Sequence, residues 1–271
     1  MPDAAQATPG VLSPAGAPAR NAQVTVWTPP EALRRHVRRM CIVESLGARS
    51  DLHLPDTGAI AAFNFRGDCL LDGTVRAPHA AITGLGDVAR GHAHSADHAA
   101  LIVAFSPTGA GLLLRPSLGE LTNSTADLGA VLERPAEMAQ LQQQLNEATS
   151  HDQRFARVEA FLCRFLDGAR YDPFTSMAVQ LIEQAHGQIP IEGLAKQVGL
   201  SQSALERRFR RFVGVAPRKF ASLVRLRHAV RLRDAGRDLI TVAHEAGYFD
   251  QSHFNREFRR YAGRAPGAFL A

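Results

Sequence analysis

Between Ile191 and Phe269 one pattern is written twice, and this duplication constrains the fold more than any other feature of the chain. The first copy runs IEGLAKQVGLSQSALERRFRRFVGVAPRKF from Ile191 to Phe220, and the second LITVAHEAGYFDQSHFNREFRRYAGRAPGAF from Leu239 to Phe269. An offset of 49 residues sets Gln202 on Gln251, Phe209 on Phe258, Gly214 on Gly263, Pro217 on Pro266 and Phe220 on Phe269. Before the turn the offset is 48, with Gly199 on Gly247, so the second copy holds one additional residue there.

Each copy reads as helix, tight turn, helix. In the first, Ile191, Leu194, Ala195 and Val198 recur at helical spacing, and Gly199 supplies the permissive backbone of a sharp helix stop. Ser201 stands where an N-cap belongs, and Leu205, Phe209 and Phe212 form the stripe that faces back onto the first helix. In the second, Asp250 is the matching cap, with Phe254, Phe258 and Tyr261 as the stripe. Such a pair is a helix-turn-helix, whose second helix fits a major groove about 12 Å wide. Between the copies, Pro217 to Ala235 reads as one helix opened by proline and ended by Gly236. Its roughly 19 residues at 1.5 Å each make a rod of about 28 Å. A spacer of that size suits two recognition helices set near one DNA turn, about 34 Å, apart.

This arrangement resembles the C-terminal DNA-binding domain of the AraC/XylS family of bacterial transcription regulators. The resemblance spans roughly Thr175 to Phe269 and is carried most strongly by the run AHEAGYFDQSHFNREFRRYAGRAPGAF. His253 before Phe254 departs from it, since many members have an aromatic residue there. The resemblance implies a transcription regulator, commonly an activator, whose partners are double-stranded DNA and RNA polymerase. It also places Ser203, Glu206, Arg207, Gln251, Ser252, Asn255 and Arg256 at base-facing positions.

The helical wheel agrees with that assignment. Opposite the apolar stripes lie Gln202, Ser203, Glu206, Arg207 and Arg210 on the first recognition helix and Gln251, Ser252, Asn255, Arg256 and Arg259 on the second. Arginine suits guanine, glutamine or asparagine suits adenine, and glutamate accepts from cytosine N4. Arg211, Arg218, Lys219, Arg260 and Arg264 look more like phosphate clamps, together with Gln202, Arg210 and Arg259 at the margins of the reading face. Taken singly, each of these reads more readily as a DNA contact than as mere solvation of a surface helix, and two matched helices with the same pattern strengthen that reading.

Charge supports the same half. Of the net +5, residues Gln180 to Ala271 carry 16 Lys+Arg against 8 Asp+Glu, or +8, which leaves −3 for the rest. A basic segment of this kind is the electrostatic footprint of a polyanion partner. The three cysteines, Cys41, Cys69 and Cys163, are widely spaced and fit reduced thiols in a cytoplasmic protein. No 18-residue apolar run is present, so no membrane span is expected.

The expected fold class is α+β, a β-rich N-terminal domain, cupin-like or a small barrel, followed by an all-α domain. The expected divisions are a disordered Ala/Pro/Gly-rich arm at 1–21, a sensor or dimerisation domain at 22–171 and the DNA-binding domain at 174–271, with Asp172 and Pro173 at the joint. EALRRHVRRM predicts a short amphipathic helix with Leu33 and Val37 inward, followed by a β-prone run from Met40 to Ser45. Strands are expected at Ala59–Phe65, Cys69–Leu71, His79–Thr83 and Ala100–Phe105. Helical patterns follow at Ala110–Leu114, in a broken segment through Leu118 and Leu128, at Pro135–Glu147 and at Asp152–Leu166. The stripe Phe155, Val158, Leu162, Phe165 and Leu166 of the last packs either on the barrel or on a second copy of the chain. Full-length AraC-type regulators share this order, which implies an unidentified small-molecule effector or a homodimer contact in the front half. The segments LPDTGAIAAFNFRG and AFSPTGAGLLLRPSLGELTN also look like the N-terminal domain of one subgroup of these regulators.

One constellation there could carry chemistry. GHAHSADH sets His92 and His94 two apart, on one face if this is a strand, with His98 nearby and His53 and His79 elsewhere in the β region. That spacing is similar to cupin metal sites, but the glutamate that should follow is missing before Glu120. The segment therefore reads as a solvated polar loop, with no cofactor expected. No nucleophile elbow, P-loop or Rossmann fingerprint is present, so the chain does not read as an enzyme. The alternative is a cupin-like metal-binding enzyme or metal sensor with an appended helix-turn-helix, in which His92 and His94 hold the metal.

Overall fold

The computed structural model describes residues 21–114, 118–166 and 172–270; the expected arm, apart from its last residue, lies outside them. The strands are β1 Ala22–Trp27, β2 Val37–Ser45, β3 Arg49–His53, β4 Ile60–Arg66, β5 Cys69–Leu71, β6 Val75–Arg76, β7 Ala80–Thr83, β8 Arg90–His94, β9 Ala99–Phe105 and β10 Thr125–Asp127. The helices are α1 Ala110–Leu113, α2 Leu128–Val131, α3 Pro135–Glu147, α4 His151–Leu166, α5 Pro173–Gln184, α6 Ile191–Gln197, α7 Gln202–Phe212, α8 Pro217–Asp234, α9 Leu239–Glu245, α10 Gln251–Ala262 and α11 Pro266–Phe269. This is the β-then-α order that the α+β reading expects.

The strands form two antiparallel sheets, one ordered β1-β2-β9-β4-β7-β10 and the other β3-β8-β5-β6. Side chains alternate across a strand, so the larger sheet has two distinct faces. Ala61, Phe63, Leu101, Val103 and Phe105 pack into a core with Met138 and Leu141 of α3 and Phe155, Val158 and Phe161 of α4. Their neighbours Ile60, Ala62, Ala100, Ile102 and Ala104 line a cavity between the sheets. Being covered on both faces is why AALIVAF reads as an unbroken apolar run. The α4 stripe lies inside this core through Phe155, Val158 and Leu162 rather than forming an exposed face. Trp27 of β1 stacks on Phe155 at 4.8 Å, and its indole N–H donates to Glu159 at 2.7 Å.

Two sequence expectations fail here. Residues 31–36 are turns, and the chain enters β2 already at Val37, so there is no helix over EALRRHVRRM. Leu33 and Val37 are buried as expected, but the i, i+4 spacing arises from a turn feeding a strand that pairs with both β1 and β9. The expected polar loop GHAHSADH is instead strand β8 and the turn after it, paired with β3 on one side and β5 on the other.

A second core gathers the C-terminal helices: Leu194, Leu205, Phe209, Phe220, Phe254, Phe258 and Tyr261 are all fully buried in it, and Leu85 from the β-rich half joins them. Each such side chain contributes about 1.5–3 kcal/mol by leaving water.

Candidate nucleic-acid interface and the cavity behind it

Both helix-turn-helix copies form as the sequence predicts. Gly199 and Gly247 adopt φ of 71° and 75°, a left-handed turn that a side chain would strain. The Ser201 hydroxyl accepts from the Ala204 amide at 3.2 Å, and the Asp250 carboxylate from the His253 amide at 2.6 Å, which caps α7 and α10. Asp238 caps α9 by accepting from the amides of Ile240 at 2.9 Å and Thr241 at 3.0 Å. That cap was legible as an aspartate just before an apolar run but was not among the expected residues. The additional residue of the second turn is Phe249, which is 93% exposed.

On α7, Gln202, Ser203, Arg207, Arg210 and Arg211 are exposed and Glu206 is half-buried; on α10, Ser252, Arg256, Arg259 and Arg260 are exposed and Gln251 and Asn255 half-buried. Arg218 and Arg264 are also exposed. Glu206 accepts from Gln202 Nε2 at 3.3 Å and lies 3.6 Å from Arg210 Nη2, which ties the first face into one network. On the second face Asn255, Arg256, Arg259 and Arg260 border one depression, and Asn255 Oδ1 has no hydrogen-bond partner among the described residues. Lys219 differs from the other candidate clamps. Its ammonium lies 4.8 Å from the Tyr261 ring centre and donates to Asp87 at 3.3 Å, in the β-rich half. Burial opposes ionisation of Asp87, yet that ammonium and the hydrogen bonds around the carboxyl hold it below its usual range.

The β-rich half touches both copies. Thr122 Oγ1 donates to the Gly214 carbonyl at 2.7 Å, at the end of the first, and the Ala89 amide donates to the Tyr261 carbonyl at 2.5 Å, in the second. Between them α8 runs 18 residues, about 27 Å at 1.5 Å each. Arg227, Val230, Arg231 and Asp234 of this rod close one side of the cavity between the sheets, whose volume is about 500 Å³.

The small sheet turns an unusually polar face to that cavity. Directly opposed residues of antiparallel strands share a face, and the register sets Arg49 on His94 and Asp51 on His92 between β3 and β8, and Cys69 on His94 between β5 and β8. His53 and His92 approach to 4.8 Å between ring centres, His92 and His94 to 6.0 Å, and His94 and His98 to 4.5 Å. His79 is outside this group. Burial drives the ring pKa values down to about 3 for His53, about 4 for His92 and His98 and about 2 for His94, with repulsion added by His92 beside His53, by Arg90 beside His92 and by Arg49 beside His94 and His98. All four are therefore neutral near pH 7. The period-two alternation Arg49, Asp51, His53 and Arg90, His92, His94 was the available sign that a polar strand face looks inward.

Residues 194–271 match a family described as a helix-turn-helix domain. The transcriptional activator RhaS of Pectobacterium atrosepticum is 33% identical over 75 residues, 27% of this chain and 27% of RhaS. A putative AraC-like transcription regulator of Streptomyces lividans is 32% identical over 80 residues, 29% of this chain and 26% of its own length. The chain thus spans about a quarter of the length of these curated relatives. Among solved structures, ToxT from Vibrio cholerae aligns over 92% of this chain and 98% of its own at 12% identity, with a TM-score of 0.47. No helix among the described residues is long and apolar enough to cross a membrane. Residues 194–271 form a helix-turn-helix domain, similar to the matching segments of these regulators.

Proposed function

We propose that the protein is a sequence-specific DNA-binding transcription regulator that reads two successive major-groove segments with α7 and α10. The observation that carries this reading is the matched placement of Ser203, Glu206 and Arg207 on one recognition helix and of Gln251, Ser252, Asn255 and Arg256 on the other, all exposed or half-buried on the side away from the apolar stripe. These are the side-chain types that pair with base edges, and the exposed Arg210, Arg211, Arg218, Arg259 and Arg260 around them suit phosphates. The functional units are residues 22–171, as sensor, and 174–271, as DNA reader, in a bacterial cytoplasm where RNA polymerase is the partner of an activator. The relatives are named as transcription regulators, which favours this non-enzymatic role over a cupin-like metalloenzyme.

A small molecule held between the sheets would touch α8 directly, and α8 joins the two readers. Such a ligand controls DNA binding only so far as it binds one arrangement of the halves more tightly than another. Selection of duplexes from a random pool by the full chain tests the reading. The expected result is a bipartite site whose two parts lie about 10–10.5 base pairs apart; binding with no enrichment at moderate ionic strength overturns it.

A further inference from the structure

The histidines facing the cavity have one hydrogen-bond chain that fixes how their protons are placed. Asn64 Nδ2 donates to the Pro78 carbonyl at 2.8 Å, which turns Asn64 Oδ1 toward His98 Nε2 at 3.0 Å. That oxygen only accepts, so His98 carries its proton on Nε2 and leaves Nδ1 as a lone pair. His94 Nδ1 lies 3.2 Å from that lone pair and must donate to it. In a neutral ring the remaining nitrogen, His94 Nε2, is then a bare lone pair.

Among the described residues this nitrogen has no hydrogen-bond partner, and its side chain is 7% exposed. His92 Nε2 is likewise buried with no partner among the described residues. One ligand nitrogen each from His53, His92 and His94 lies within 4.8 Å of the other two. Buried polar atoms without a partner cost free energy, and two such nitrogens converging with a nitrogen of His53 share one remedy, a cation.

We propose that His53, His92 and His94 form a binding site for one divalent transition-metal ion of the zinc, cobalt and nickel class. Imidazole suits that class, and three such ligands leave an open fourth position toward the cavity. At metal–nitrogen distances of about 2.0–2.1 Å, nitrogens around a tetrahedral ion stand roughly 3.4 Å apart. Imidazole χ2 torsions are soft, so ring rotation covers the remaining contraction. Arg49 does not oppose the ion with a full charge, because its guanidinium is ion-paired with Asp51. Asp51 Oδ2 in turn lies 3.7 Å from His94 Nε2. Asn64 and His98 are positioning residues here, aiming His94 through its second nitrogen. The site stands on these side chains alone and does not require that the cavity also take an organic effector.

The test is zinc titration of the full chain, freed of any affinity tag and of bound metal, in competition with a chromophoric chelator. One zinc per chain is expected, with loss of that binding in His92→Gln and in His94→Gln. Asn64→Ala, which contributes no ligand, should weaken binding about 10–100-fold. Thermal melts establish that each variant is folded. Should a histidine variant not fold, cobalt bound to the unaltered chain decides: visible bands without a thiolate-to-metal band in the near ultraviolet support the three imidazoles. A chain that takes up no zinc, zinc binding that survives both histidine changes, or a thiolate band abolished by Cys69→Ser overturns the assignment.

Discussion

The two helix-turn-helix copies share caps, stripes and a terminal glycine, yet they lean on the β-rich half in different ways. The first is held by close backbone approach: a Cβ added at Gly111 would meet the Phe212 carbonyl oxygen at 2.4 Å, and Thr122 bonds to Gly214. The second is held by the segment around Asp87 and Ala89: the Ala89 amide donates to the Tyr261 carbonyl, and Lys219, from the end of the first copy, bridges Asp87 to the Tyr261 ring. The first contact is steric and short-ranged, the second polar and partly exposed. Duplication thus fixed the fold of each module, while the surface each offers the β-rich half was set separately.

The sharpest way to show that the modules are equivalent inside is to empty each core. Phe209→Ala and Phe258→Ala remove fully buried rings at matched positions. Each should destabilise the chain by about 3–5 kcal/mol, read from urea unfolding. A much smaller loss for one would mean that its module is not packed as its twin is.

Gly111→Ala attacks the difference instead. The methyl group has backbone in its way, so helix α7 or α1 must shift, at about 1–3 kcal/mol. Proteolysis or hydrogen exchange should show loosening around Phe212 and Gly214 and leave the Ala89–Tyr261 contact protected. Equal loosening of both contacts would make the β-rich half a single clamp.

On the proposed function, DNA binding should distinguish the copies by sequence. Arg207→Ala and Arg256→Ala should each weaken specific binding by about 1–3 kcal/mol and relax preference in opposite halves of the site. Arg211→Ala should weaken all sequences alike and lower the salt slope by about 1. If all three lose affinity with no change in preferred sequence, the division into readers and clamps is wrong.

The helical half was legible because its signals are local. Apolar spacing, Ser201 and Asp250 as caps, and Gly199 and Gly247 as stops are all written within a few residues of where they act. The β-rich half depends on partners distant in sequence. β1 pairs with β2, and β3 with β8 some 40 residues on, which gives short polar strands such as RSDLH and RGHAH no local mark beyond alternation. Their polar face looks inward to a cavity, the reverse of the rule that makes a polar run read as solvated. Leu33 and Val37 misled for the complementary reason, since two residues four apart satisfy a helix and equally a turn entering a strand.

The smallest expected effect lies in the turns. Tyr248 and Phe249 are adjacent aromatics, but only Tyr248 belongs to the module: it is buried, its ring centre is 5.1 Å from that of Phe254, and Arg225 covers it at 5.4 Å. Phe249 is the insertion that the first copy lacks, and its backbone N–H, not its ring, engages His253 at 3.3 Å. Phe249→Ser keeps that donor and empties no core, so its unfolding free energy should stay within about 0.5 kcal/mol of the parent. Tyr248→Ala should cost clearly more in the same urea titration, because it removes a ring on which both Phe254 and Arg225 rest. If the two substitutions proved equal, the extra residue would be part of the packing, and the second turn would be a differently built element rather than the first one with a residue added at its tip.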